Sequence, residues 1–551
     1  MTAFSLFHQP TVRENLLAIR SSIERKALLS SIFSLSARFT KLPALGKSAP
    51  CDIPSPDTFL DIANDAIDEA VKHYPDEPPT LHLLQAMILT TFHRLIGGVN
   101  GRAWRDVGTC VRIAYEMQLH LIDRDPPIGD FDALNLVQIE ERRRAWWAIW
   151  ELDVFASTIR RVPTAIDWTN NATCLPIDDQ EWFEQGNGKS CRLNPDPEMA
   201  WKDLEKSGNQ NPKAWLLVMT ALMVCAHKGI YSTSYSNKDL GSREYLAQVE
   251  LNNKASNIFS NTLYCLISAL PRSVTYHGEQ LSFSTSDTSS SVQEDCHKYS
   301  MALIIQLSRY TIYHRQILSS TWKKLASSSY ATADGDNSTR IELSLAESAA
   351  WNVYLTSTSE IMTLIRSCPP WHISYISPFL VHVIYIAAAS QFIAPTANPS
   401  RIRIDHRLAT PNLDTLYNNI KAYETFWGVS SKPLQKLRKL EQKLPGSKGH
   451  ESRADVTIPR RERYEPPLDI ANLKVPTDVR DMVSHHSPGT AKFSVPLGVF
   501  TPDSGGPWNF LSWRPPCSFV DHGSDAPSFG SRRPCLSDAE IEQLLSYGGI
   551  V

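Results

Sequence analysis

The stretch that most limits what this chain can fold into is residues 138–163, QIEERRRAWWAIWELDVFASTIRRVP. At helical spacing, Ile139, Trp146, Ile149, Trp150, Val154 and Ser157 fall on one side, and Trp147 and Phe155 widen that stripe. A stripe this broad predicts a helix sunk into a helical core rather than one lying on a surface. Glu140 and Arg144 are four residues apart, which predicts an ion pair supporting exposed first turns. Pro163 is the expected stop just beyond the last turn.

The rest of the chain up to residue 445 repeats the same period. Leu16, Ile19, Ile23, Leu28, Ile32 and Leu35 predict one helix, or two broken near Ser21. Further helices are expected over 58–73, 81–96, 103–120, 213–231, 243–270, 296–325, 341–367, 376–393, 413–427 and 432–444. Thr80 is placed to cap the 81–96 segment, and Gly97 and Gly98 to end it. Leu175 to Asp179 is expected as irregular chain laid on the helices, and residues 187–211 as a polar surface loop. Residues 279–294, rich in Ser and Thr, and 326–340 are expected to be mobile. No useful strand-period alternation and no fixed-period repeat occurs, so the fold class expected is all-α, a large multi-helix domain.

Composition changes after Pro445. Residues 446–551 carry many Pro, Ser and Gly and few periodic apolar positions, which predicts a mostly disordered tail. It ends in Ser537-Asp538-Ala539-Glu540, spaced as a capping box before Ile541, Leu544 and Leu545, which predicts a short acidic amphipathic helix. The net charge of −3 over 551 residues gives no global electrostatic footprint for nucleic acid. The ten cysteines include no pair separated by two residues, so they form no thiolate zinc clamp. Cys110, Cys225 and Cys265 lie in apolar runs and read as reduced small hydrophobes. The first residues lack a basic start followed by an apolar run, so no secretory signal is expected, and the Asn171 and Asn337 triplets are expected to stay unglycosylated. Residues 368–400 contain no Asp, Glu, Lys or Arg, but the strongly apolar part is about half of the ~20 residues a span needs, and a buried helix is expected there.

Several side chains could carry chemistry. Asp153 lies on the tryptophan side of its helix, as a ligand anchor or as half of an internal ion pair joining two helices; the second is preferred. Arg142, Arg143 and Arg144 could meet phosphate, but a solvated turn balanced by Glu140 and Glu141 is the simpler expectation. Trp104, Trp146, Trp147 and Trp150 could line a small-molecule pocket; aromatics at helical spacing are more often core. Gly186 to Ser190 ends like a phosphate-cradling loop but has Phe183 where that loop needs glycine. Asp178-Asp179-Gln180-Glu181 hints at the acidic magnesium motif of α-helical terpene cyclases, with Trp182 displacing the closing acid and no second motif following. Arg460 to Arg463 reads as a nuclear import signal or a solvated linker.

An ordered set of short pieces then resembles the fungal-specific transcription factor domain, the "middle homology" regulatory domain of zinc-cluster transcription factors. Phe7 to Thr11 is similar to the family's opening His-x-Pro segment, Ser34 to Phe39 to its Ala-Arg-Phe helix end, and Leu84-Gln85-Ala86 to the start of its next helix. Trp104, Gly108, Arg112-Ile113-Ala114 and Leu119-His120 resemble its Trp, Gly, Arg-x-Ala and Leu-His positions. Glu140, Glu141, Arg142, Arg143, Arg144, Trp146, Trp147, Asp153 and Ser157 resemble its most recognisable motif, and Pro163, Ile166, Leu175-Pro176 and Asp179 continue it. The resemblance covers residues 5 to 445, which sets the expected domain at residues 1–445. The chain departs from the pattern in having Val154 after Asp153, where the family usually has arginine, and Arg161-Val162 where it usually has Gly-Arg. If the motif arginines pair with acids, Arg160 or Arg161 is the expected substitute.

Family members also carry a basic segment with six zinc-binding cysteines that contacts DNA; this sequence has none, so no zinc ligand and no cofactor is expected in this chain. The resemblance implies a nuclear, non-catalytic regulator of transcription by RNA polymerase II, acting on a metabolic gene set. Its expected partners are proteins, as a homo- or heterodimer and with the transcription machinery, and a small-molecule effector. DNA is expected to be reached indirectly or through a missing amino-terminal module, and no membrane is expected. The alternatives are an all-α enzyme of secondary metabolism, terpene-cyclase-like, and an interaction scaffold that does not touch DNA.

Overall fold

A computed structural model describes residues 5–41, 54–124, 133–184, 188–231, 242–284, 289–330, 345–397 and 406–443. The regular elements of these segments are all helices; among the described residues the sole β-type pairing is a bridge between Cys174 and Arg192. The tail from residue 444, with the Ser537 capping box and Arg460 to Arg463, lies outside the described residues, as do residues 185–187 and 331–344.

The helices begin where short polar side chains can accept a free amide. The break near Ser21 separates α1 (Val12–Ala18) from α2 (Ser22–Ser36), and the Ser21 hydroxyl accepts the Glu24 N–H. Ser55 does the same for α3 (Pro56–Val71), which has proline in its first turn. Thr80 accepts the Leu83 N–H at the start of α4 (Leu81–Ile96), and Asn100 caps α5 (Gly101–Glu116). The tryptophan helix is α6 (Ala133–Arg160). Then follow the short α7 (Asp179–Phe183), α8 (Pro197–Ser207), α9 (Pro212–Tyr231), α10 (Ser242–Ala269), α11 (Ser289–Tyr330), α12 (Leu345–Arg366), α13 (Val381–Ala397), α14 (His406–Trp427) and α15 (Lys432–Lys443).

Helix α2 packs on α3 and α4, α4 on α5 and α6, α9 on α8, α10 and α11, and α13 on α12 and α14. One continuous apolar core runs through them from Leu6 to Leu437. Phe379, between α12 and α13, stacks on Phe155 of α6 at 3.7 Å and meets Phe92 of α4 edge-on at 5.1 Å, so the amino- and carboxy-terminal helices share that core. Helix α13 is buried, and no helix among the described residues is long and apolar enough to cross a membrane.

Four expectations are corrected. The expected polar loop is interrupted: residues 197–207 form α8, started by the Asp196 side chain and Pro197 and ended by Gly208 at φ 76°. Asn209 and Asn211 behind it are buried because their side-chain amides satisfy the Pro176 carbonyl at 2.9 and 3.2 Å. In the Ser/Thr-rich stretch, Leu281 and Phe283 are fully buried, with Leu281 N–H donating to Ser367 and Phe283 N–H to Asp295. Helix α11 then starts at Ser289, inside the segment expected to be mobile, and continues to Tyr330. Cys265 is exposed rather than core, whereas Cys110 is buried.

Burial also sets an acid limit on this fold. It holds the His372 and His382 imidazoles down at about 4 and His314 at about 3, the last with help from Arg161 and His227. In the unfolded chain these groups titrate near 6.5. Below that value the unfolded state binds protons that the native state refuses, so their stabilising effect is complete above pH ~6.5 and is lost as pH falls toward 4. Melting temperature is expected to drop steeply between pH 6.5 and 4.5. A flat profile over that window would contradict neutral buried imidazoles.

Candidate functional site

The stretch of α6 at Glu140–Arg144, expected to be exposed, turns inward. Glu140 is fully buried and Glu141 and Arg144 nearly so. The reason is that each charge has a partner arriving from another part of the chain. Glu140 accepts Arg144 Nε at 2.8 Å, Arg143 Nη1 at 3.2 Å and the Ile177 N–H at 3.0 Å. Burial pushes its carboxyl upward, and the two guanidiniums pull against that shift. Arg143 also holds Asp123 through two donors, Nε at 2.9 Å and Nη2. Burial alone would raise the Asp123 carboxyl, but Arg143 and the Cys174 N–H outweigh it and hold it below the usual carboxylate range.

Arg144 reaches the farthest. Its guanidinium donates to Asp179 at 2.5 Å and to the Ile177 carbonyl at 2.7 Å, and lies 4.0 Å over the Trp182 ring. Glu141 accepts the His8 N–H at 3.0 Å, and His8 is seated by its Nε2 on the Trp182 carbonyl at 3.1 Å and by Nδ1 against Thr11 at 2.9 Å. Burial keeps the His8 imidazole below its usual value, so it donates from Nε2 and accepts from Thr11. Arg142 donates to the Met117 carbonyl at 3.0 Å. The expected solvated turn is therefore corrected: the Glu-Glu-Arg-Arg-Arg run ties α6 to residues 5–8, 117–123 and 174–182.

The aromatic face sits where the period placed it. Trp146, Trp147 and Trp150 are buried core; Trp147 Nε1 donates to the Cys174 carbonyl at 2.7 Å and its ring meets Trp150 edge-on at 5.6 Å. Trp104 is half-buried on α5 with the Arg160 guanidinium 5.3 Å over it. Arg160 spends its donors on the Val99 carbonyl, at 3.3 and 3.4 Å, rather than on an acid.

Asp153 corrects a second expectation. It is fully buried, but its partners are hydrogen bonds and not an ion pair: the Ile166 N–H at 2.9 Å and the Ser157 hydroxyl at 3.1 Å. Burial raises this carboxyl, against those donors. It thus anchors the chain leaving α6. The exit is a six-to-one cap, with Val162 N–H bonded to Ser157 O at 3.1 Å and Arg161 in the left-handed region at φ 56°. The residue occupying that glycine-favouring conformation is the one that departs from the usual glycine, and Pro163 follows it. Arg112 is exposed on α5, outside this junction.

The acids of the 178–181 run do not converge. Asp178 caps α7 through Gln180 N–H, Asp179 turns in to Arg144, and Glu181 is exposed, so the acids of the terpene-cyclase-like motif point to different tasks. Among the described residues no group of three or more His, Cys, Asp or Glu could hold a metal ion. Gly188 to Ser190 follow helix α7 rather than a strand, which removes the setting of a phosphate loop. Sequence reasoning missed Asp123 and the pairing of His8 with Glu141; no local pattern marks either, because the partners lie 20 and 133 residues from their arginine and glutamate.

The family model described as the fungal specific transcription factor domain matches residues 2–268. That match contains the whole junction and ends at α10; α11 to α15 lie beyond it. The chain is similar to the Zn(2)-C6 fungal-type transcription factor FTF1c of Fusarium oxysporum f. sp. lycopersici, 27% identical over 33% of this chain and 19% of the relative. It is similar to the transcription factor tazR of Aspergillus terreus, 31% identical over 19% of this chain and 16% of the relative. It is also similar to the tropolone cluster transcription factor tropK of Talaromyces stipitatus, 34% identical over 19% of this chain and 18% of the relative. In each case the alignment spans less than a fifth of the relative's own length. No solved structure matches the chain.

Proposed function

We propose, from the match of residues 2–268 to the model described as the fungal specific transcription factor domain, that the chain is a nuclear, non-catalytic regulator of transcription by RNA polymerase II, controlling a set of metabolic genes. The observation that carries the reading is where the family's charged motif goes. Arg143 and Arg144 are held inside the protein by Asp123, Glu140, Asp179 and the Ile177 carbonyl, and the half-buried Arg142 puts one donor on the Met117 carbonyl. With two of the three guanidiniums already paired with acids, the motif supports regulation by packing and partner contact, with DNA reached through another module or another chain. Its partners are proteins, as a dimer and with the transcription machinery. An effector acts by binding one packing of the helices more tightly than another.

Fusion of the full chain to a foreign DNA-binding domain tests this. Reporter output is expected to change several-fold in either direction relative to the DNA-binding domain alone, and a tagged chain is expected in the nucleus. Unchanged output together with cytoplasmic location would remove the reading.

A further inference from the structure

A cavity of about 440 Å³ opens where the end of α2, the start of α3, the last turn of α4 and the end of α14 meet. That volume lies in the range of small-molecule sites, about 300–1,000 Å³. One wall carries Arg38, in the 3-10 turn after α2. Its Nη1 donates to the Ser34 carbonyl at 2.7 Å, and its Nη2 lies 2.8 Å from His93 Nε2. Burial draws the guanidinium down to about 10. The carboxylate that acts on it, Asp57, is 85% exposed and lies 3.3 Å from His93 rather than on the arginine. Arg94, also on the lining, is already neutralised by Asp106. His93 is held at about 4, chiefly by burial and then by Arg38, so it is neutral and can accept from Arg38.

Arg38 therefore contrasts with Arg143 and Arg144 of the α6 junction. They are paired with carboxylates, whereas Arg38 is half-buried without a carboxylate in ion-pair contact. A guanidinium in that position favours an anion. The lining also offers apolar surface from Leu60, Ile96, Phe426 and the buried Trp427. We propose that this cavity binds a small organic carboxylate with an apolar body, the carboxylate on Arg38 and the body against Phe426 and Trp427. Inorganic phosphate fits poorly, because its remaining oxygens would face apolar carbon and the Asp57 carboxylate. The cavity joins α2–α4, inside the family match, to α14 beyond it, so occupancy strengthens the packing between them. The assignment deepens the reading of the chain as an effector-responsive regulator, and it names the effector's chemical class.

The test is calorimetric titration of the purified full chain with hexanoate and benzoate, against hexanamide, benzamide and inorganic phosphate. The acids are expected to bind saturably and raise the melting temperature, and the amides to bind at least about tenfold more weakly. Arg38→Met, which keeps the apolar stem, should weaken the acids about tenfold and leave the amides unchanged. Asp57→Asn, at an exposed site, should tighten the acids about twofold by removing a like charge that solvent already screens. If Arg38→Met does not fold, the acid–amide ratio and Asp57→Asn decide. No saturable binding of either acid up to about 10 mM, where millimolar affinity would show, overturns the assignment. So do equal affinities for acid and amide, undiminished binding by Arg38→Met, or tighter binding of phosphate. These outcomes leave the reporter result untouched, so the cavity and the transcriptional reading fail separately.

Discussion

Arg144→Met is expected to lower the unfolding free energy by about 3–5 kcal/mol, the range for stripping one partner from a buried ion pair. The size follows from what is left behind. Glu140 keeps Arg143 and the Ile177 N–H but loses its shortest charged donor, at 2.8 Å. Asp179 loses its 2.5 Å partner, and the Ile177 carbonyl keeps only the Asn211 amide. Denaturant unfolding of the single variants and of Glu140→Met/Arg144→Met separates the terms. The double variant is expected to be less destabilised than the sum of the singles by about 1 kcal/mol or more, since each single leaves a charge that the other removes. Strict additivity would mean that the pair is not coupled.

Trp147→Ala is expected to cost about 3–5 kcal/mol through the cavity it leaves and the contacts it loses. Trp147 is 1% exposed and is packed against Trp150. The polar end adds a second effect: without Nε1 the Cys174 carbonyl loses its 2.7 Å donor. Trp147→Phe fills most of the volume but cannot make that bond, so it should cost about 1–2 kcal/mol. Equal losses for Ala and Phe would assign the whole effect to the hydrogen bond and none to packing.

The helices were legible because their signals are local. Ser21, Thr80 and Pro163 punctuate the chain within a turn of where the period changes, and the apolar stripe of α6 is readable from seven or eight neighbouring letters. The junction was not legible, for the opposite reason. Whether Glu140 is solvated or buried depends on Ile177 and Arg143's Asp123, and nothing near Glu140 encodes their arrival. The rule that adjacent charges on a helix face water holds for the average helix; here it is overridden because residues 5–8 and 174–182 cross that face and bring donors and acceptors with them. Composition misled in the same way at 279–294, where Leu281 and Phe283 are two buried anchors among serines and threonines. Asn209 and Asn211 are loop residues as read, between α8 and α9, but buried ones, because both donate to the Pro176 carbonyl. The resemblance placed Asp153 and Ser157 in one motif. What they do, holding the Ile166 amide as the chain leaves α6, required the fold.

The account turns on the acids around α6 being structural clamps on non-helical chain, and amide hydrogen exchange resolved to single residues tests that most directly. Three amides from outside helices donate to acids carried by α6 itself: His8 to Glu141, Ile177 to Glu140 and Ile166 to Asp153. All three are expected to exchange as slowly as amides in the middle of α6. In Arg144→Met the Ile177 amide should exchange faster while Ile166, held by a different acid, stays protected. Fast exchange at all three in the unaltered chain would show that these segments are not pinned, and the junction would then be no more than a cluster of charges.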